Sequence, residues 1–118
     1  KLPDPAIAGN AGSFFKNPVI THAEAVELQT RFEGMPVFPA STAAERKLSA
    51  AWLIEQAGWR GFRDGDAAVS EQHALVLVNL AQATGPQLLA LARRVAASVQ
   101  EKFGVALEPE PRVVGATF

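Results

Sequence analysis

The 118-residue chain contains no cysteine. Disulfides and thiolate metal sites are therefore excluded, and either redox compartment remains open. Its two histidines, His22 and His73, stand far apart, so no metal-ligand spacing appears. No apolar run reaches the ~18 residues that would suggest a membrane span. Neither charge is in excess: 11 Lys and Arg oppose 12 Asp and Glu, for a net charge of −1. The basic surplus that draws a protein to nucleic acid is missing. Several fingerprints are missing too. Ala11-Gly12-Ser13-Phe14-Phe15 does not fit the G-x-S-x-G elbow of serine hydrolases. The glycines lack the spacing of a phosphate-binding G-x-x-x-x-G-K-S/T loop, and no dinucleotide-binding G-x-G-x-x-G occurs. There is no repeat, low-complexity tract or long linker.

What the chain does have is 48% apolar residues, in a length that suits one domain with a sizeable core. Prolines at 3 and 5 mark residues 1–8 as an extended lead-in. Thr21-His22-Ala23-Glu24 has capping-box spacing, with Thr21 as N-cap and Glu24 reaching back. Ala25, Leu28 and Phe32 then form an apolar helical stripe, ended by Gly34 and Pro36. Residues 35–40 hold two prolines and read as a loop or short edge strand, and 41–46 are polar. A second helix is expected over 47–57, with Ala50, Leu53, Ile54 and Ala57 on one face, Trp52 beside it and Gly58 at the C-terminal cap. Residues 59–66 read as a loop, and Ala67-Ala68-Val69 as the start of a strand. The apolar run over 74–79 reads as a central strand buried on both faces. The last helix opens at Thr84, with Pro86 in its first turn and Gln87 at the capping-box position. Leu88, Leu91, Ala92, Val95, Val99 and Phe103 form its core stripe. Gly104 breaks it, and residues 105–115 make a final strand. This order predicts an α+β single domain with a small mixed sheet and about three helices.

Two stretches stand out chemically. The first is Gly9-Asn10-Ala11-Gly12-Ser13-Phe14-Phe15-Lys16-Asn17-Pro18. Its glycines permit positive φ and close backbone approach, its aromatics favour a pleated surface, and Pro18 ends a strand or sits at a sheet edge. Strand alternation puts Ser13, Phe15 and Asn17 on one face and Phe14 and Lys16 on the other. Ser13 and Asn17 would lie roughly 13 Å apart, suited to two contacts along an elongated ligand rather than to one reacting atom. An ordinary glycine turn leading into a strand, with Ser13 and Asn17 capping or solvated, fits equally well. The second stretch is Leu107-Glu108-Pro109-Glu110-Pro111-Arg112. Here Glu108, Glu110 and Arg112 share one face, opposite Val105, Leu107 and Val113. Charges and prolines also protect an edge strand from unwanted pairing, so a purely structural role remains open.

The first stretch resembles, at all ten positions, the signature of the bacterial UDP-N-acetylenolpyruvoylglucosamine reductases, flavoenzymes of peptidoglycan precursor synthesis. Leu107-Glu108-Pro109-Glu110 is similar to their C-terminal motif. Pro111 stands where the family usually has an apolar residue, which fixes the backbone after Glu110 and leaves its carboxylate in place. In the family Lys1-Leu2-Pro3-Asp4-Pro5 lies well inside the chain. The resemblance, from Lys1 to about Gly115, thus implies that residues 1–118 are the C-terminal substrate-binding domain of a longer enzyme, with the FAD-binding domain absent from this sequence.

The resemblance further implies a cytoplasmic oxidoreductase that uses FAD and NADPH to reduce UDP-N-acetylglucosamine enolpyruvate to UDP-N-acetylmuramate. No cofactor is expected on this fragment alone, which would be inactive, and neither nucleic acid nor membrane is expected as a partner. Carried over residue by residue, Ser13 is the proton donor and Glu110 orients and polarises the enolpyruvyl carboxylate. Lys1 and Asn17 contact the nucleotide-sugar. His73 stands where some members carry glutamine, and both side chains can hydrogen-bond a ligand. Lys16 is left outside the site. Two readings from other classes stay open: a non-catalytic nucleotide-sugar binding module, and an interaction domain whose Gly-Ser-Phe-Phe edge pairs with a partner.

Overall fold

The computed structural model describes residues 14–72, 74, 77–79 and 85–110. Pro18 cannot donate a backbone hydrogen, but its carbonyl accepts the Leu48 N–H at 2.8 Å and so starts a ladder. Strand β1 (Val19–Thr21) follows at once, and α1 (His22–Arg31) grows directly from it. The capping box expected at Thr21 is present. The Thr21 hydroxyl accepts the Glu24 N–H at 3.1 Å, and the Glu24 carboxylate accepts the Thr21 N–H at 3.0 Å. Ala25 and Leu28 are buried, as the stripe requires.

Next come β2 (Val37–Pro39) and β3 (Glu45–Leu48). They form an antiparallel sheet in the order β1-β3-β2, with Val19 opposite Lys47 and Lys47 opposite Phe38. The short edge strand expected within 35–40 is β2. The central strand is β3, which lies partly in the stretch read as the start of a helix. The second helix, α2 (Ala50–Gln56), begins later than expected. The Leu48 N–H is taken by Pro18, and the Ser49 hydroxyl accepts the Trp52 N–H at 3.1 Å, which sets the helix start after Ser49. Ala50, Leu53 and Ile54 are buried. Gly58 follows with φ +89°, a conformation that glycine adopts without a Cβ penalty.

The loop expected over 59–66 contains β4 (Arg63–Asp64), which turns through Gly65 into β5 (Ala67–Val69). With β6 (Leu77–Asn79) these form a second antiparallel sheet, ordered β4-β5-β6. Among the described residues the strand buried on both faces at its centre is β5, and β6 pairs with β5 alone. Leu77–Asn79 is the described part of the strand expected over 74–79, and it pairs with β5.

The final helix, α3 (Gly85–Phe103), buries all six residues of the expected stripe, from Leu88 to Phe103. It packs on β5, β6 and α2. The Phe103 ring meets Phe32 at 4.6 Å and Trp52 at 5.9 Å, so the ends of α1 and α3 and the start of α2 close one core. On its other side Arg94 lies over Phe62 and Trp59, at 5.2 and 5.6 Å from their ring centres, and pairs with Asp64 at 2.9 Å. That clamp holds the β4–β5 hairpin on the helix. Among the described residues the chain is an α+β domain with three helices, its strands divided between two small sheets.

Candidate functional site

After Gly104 the chain runs back beside its own beginning. Phe15 bridges Pro109 in antiparallel sense. On either side, the Lys16 N–H donates to the Glu108 carbonyl and the Glu110 N–H donates to the Phe14 carbonyl, each at 2.8 Å. The two motifs singled out in the sequence are therefore zipped together. Buried Phe14, Phe15, Val105 and Leu107 fasten this seam to the core.

The seam is short, and the first stretch is not a regular strand. The chain bends at Phe14, and both phenylalanines are buried. Their rings meet edge to face at 5.1 Å, closer than side chains on opposite faces of a strand would come. Strict alternation over 14–17 therefore fails, because one bridge does not hold the backbone to a two-residue repeat. The second stretch keeps it better: Val105 and Leu107 are buried, while Ala106 and Glu108 are exposed.

Of the five expected site residues, Asn17 and Glu110 are described, whereas Lys1, Ser13 and His73 lie outside the described residues. Glu110 is half-buried, and its backbone is bonded to Phe14, the residue that follows Ser13. Asn17 is exposed, two residues beyond the bridge in the other direction. Along the pairing it stands three residues from the level of Glu110, roughly 10 Å at extended spacing. Its Oδ1 accepts the Ala50 N–H at 3.0 Å.

Lys16, left outside the site by sequence reasoning, has a defined place. Its ammonium meets Glu108 Oε1 at 3.0 Å. The pair sets opposite charges against each other across the seam. The signal was the opposite charge of two residues that face each other across the seam, and it needed the register to be visible. A cavity of about 400 Å³ opens where the paired segments diverge, lined by Lys16, Asn17, Val19, Glu24, Val105 and Glu108 among others.

The fold and seam define the class: a small α+β domain in which residues 14–16 pair with residues 108–110. The comparisons give the family. A family model described as UDP-N-acetylenolpyruvoylglucosamine reductase, C-terminal domain, matches residues 4–114. The chain belongs to that family. The UDP-N-acetylenolpyruvoylglucosamine reductase of Xylella fastidiosa (strain 9a5c) is 61% identical over 118 residues, which cover 100% of this chain and 34% of the relative. That of Xanthomonas euvesicatoria pv. vesicatoria (strain 85-10) is 61% identical over 116 residues, covering 98% and 33%. The crystal structure of UDP-N-acetylenolpyruvylglucosamine reductase (MurB) from Thermus caldophilus is similar with a TM-score of 0.49 and 33% identity, over 85% of this chain and 26% of that one. The chain spans about a third of the length of the curated relatives it matches.

Proposed function

We propose that this domain binds the nucleotide-sugar and donates the proton in a cytoplasmic reductase that converts UDP-N-acetylglucosamine enolpyruvate to UDP-N-acetylmuramate for peptidoglycan synthesis. The observation that carries this reading is the pair of backbone hydrogen bonds around the Phe15–Pro109 bridge. They join the serine-bearing stretch to the glutamate-bearing one.

The described residues do not fit a flavin. The cavity beside the seam carries two carboxylates, Glu24 and Glu108, against one ammonium, Lys16. Among its described lining residues there is no aromatic side chain to stack on a flavin ring. FAD, reduced by NADPH, would be held by a separate FAD-binding domain of the full-length protein and would supply the hydride.

The chain's own residues do the following. After hydride reaches the enolpyruvyl double bond, an enolate-like centre on the substrate must be protonated, and Ser13 supplies that proton. A hydroxyl is a weak acid in water, so exclusion of solvent and a nearby cation assist it. Glu110 orients and polarises the substrate carboxylate, sharing a proton with it so that two anions need not face each other. Lys1 and Asn17 hold the nucleotide-sugar, where a lysine ammonium suits phosphate as a compact point charge. His73 donates or accepts a further hydrogen bond to it.

Turnover of the full-length protein tests this. Ser13→Ala and Glu110→Gln should each lower kcat by about 10²–10⁴. Wild-type turnover in both variants would refute the assignment.

A further inference from the structure

Trp59 is gripped by one face of α3. Its indole N–H donates to the Ser98 hydroxyl at 2.5 Å, and the Arg94 guanidinium lies over its ring. Arg94 and Ser98 are four residues apart and so are neighbours on the helix surface. The same guanidinium covers Phe62, which meets Trp59 edge to face at 4.7 Å, and it pairs with Asp64. A planar guanidinium can stack on rings and bond a carboxylate at once. Each contact is weak by itself, since the ion pair is exposed. All three act on one cation. What this cation clamps touches the residues that lead to His73. The Phe62 N–H donates to the Trp59 carbonyl, and the Phe62 carbonyl accepts the Val69 N–H, each at 2.8 Å. At Gly61 φ is +80°, and a Cβ there would come within 3.3 Å of Glu71 Cγ. The turn over 59–62 is therefore in direct contact with residues 69 and 71, and Ser70-Glu71-Gln72 runs straight into His73.

We propose that Arg94 is a positioning residue for substrate binding. Through Trp59 and Phe62 it sets the turn over 59–62, and through that turn the segment 69–72 that leads into His73. The link to substrate rests on the function proposed above, which gives His73 a hydrogen bond to the nucleotide-sugar. The clamp on the turn does not. Arg94 is exposed, and the buried stripe of α3 lies on other residues. Glutamine at this position is a good helix former that lacks the charge. Arg94→Gln therefore removes the clamp and leaves the packing of the helix in place.

The experiment compares wild type, Arg94→Gln, His73→Ala and the double variant in the full-length protein. Turnover of UDP-N-acetylglucosamine enolpyruvate gives KM and kcat, and hydrogen exchange read by mass spectrometry follows the opening of residues 59–72. Arg94→Gln should raise KM about three- to tenfold at unchanged kcat, because it loosens a binding contact and not the proton transfer. It should also speed exchange over 59–72 about fivefold or more, with residues 88–103 at the wild-type rate. In the His73→Ala background the same substitution should leave KM unchanged, since the contact that Arg94 positions is already gone. Unchanged exchange over 59–72 would overturn the clamp, and a wild-type KM in Arg94→Gln would overturn the positioning. So would an equal rise in KM in both backgrounds, or a loss of kcat, either of which would mean general damage. If His73→Ala alone kept the wild-type KM, the contact assigned to His73 would fall and take the positioning with it. Exchange over 59–72 would still decide whether Arg94 holds the turn.

Discussion

Phe15 and Lys16 are neighbours in the seam and contribute very unequally. Phe15 is 1% exposed, and truncating a buried phenylalanine costs about 3–5 kcal/mol because a cavity replaces it. The Lys16–Glu108 pair is 43% and 67% exposed, so solvent screens most of its attraction. Equilibrium urea unfolding should show Phe15→Ala strongly destabilised and Lys16→Ala changed by less than about 1 kcal/mol. A larger loss for Lys16→Ala would mean that the ion pair, not the aromatic packing, holds the seam. At this scale the sequence was informative about Glu110 and Asn17 as residues worth watching. It could not show what each touches. The Asn17 bond to Ala50 and the Lys16 pair with Glu108 both join positions far apart in the chain.

Among the elements, α3 was legible because its signal is local and long. Six apolar positions at helical spacing all turned inward. The α1 start was legible for the same reason, since a capping box lies within four residues. Strand β3 was not. Glu45-Arg46-Lys47-Leu48 shows no apolar alternation, and only its pairing with β1 on one side and β2 on the other makes it a strand. Its charged Lys47 is tolerated because that face meets solvent. The late start of α2 follows from the same pairing, and Ser49 enforces it. Ser49→Ala should cost about 1 kcal/mol by removing the cap, whereas Leu91→Ala on buried α3 should cost about 2–5 kcal/mol. Thermal unfolding of the two variants checks the order. An equal or larger loss for Ser49→Ala would place more of the stability in the helix start than the packing indicates.

For the molecule as a whole, the essential event is the return of residues 105–110 to the segment beginning at Phe14. Both motifs could be read in the sequence, but their pairing could not, because a long-range bridge leaves no local pattern. The domain is about a third the length of its relatives, so the catalytic claim belongs to the full-length protein. Its most direct test separates the two halves of the reaction in Ser13→Ala. Absorbance at the flavin band follows reduction by NADPH, and product analysis follows conversion of the enolpyruvyl nucleotide-sugar. Flavin reduction should proceed at the wild-type rate while conversion is lost. Conversion at the wild-type rate, or a matching loss of flavin reduction, would contradict a proton-donating role for Ser13.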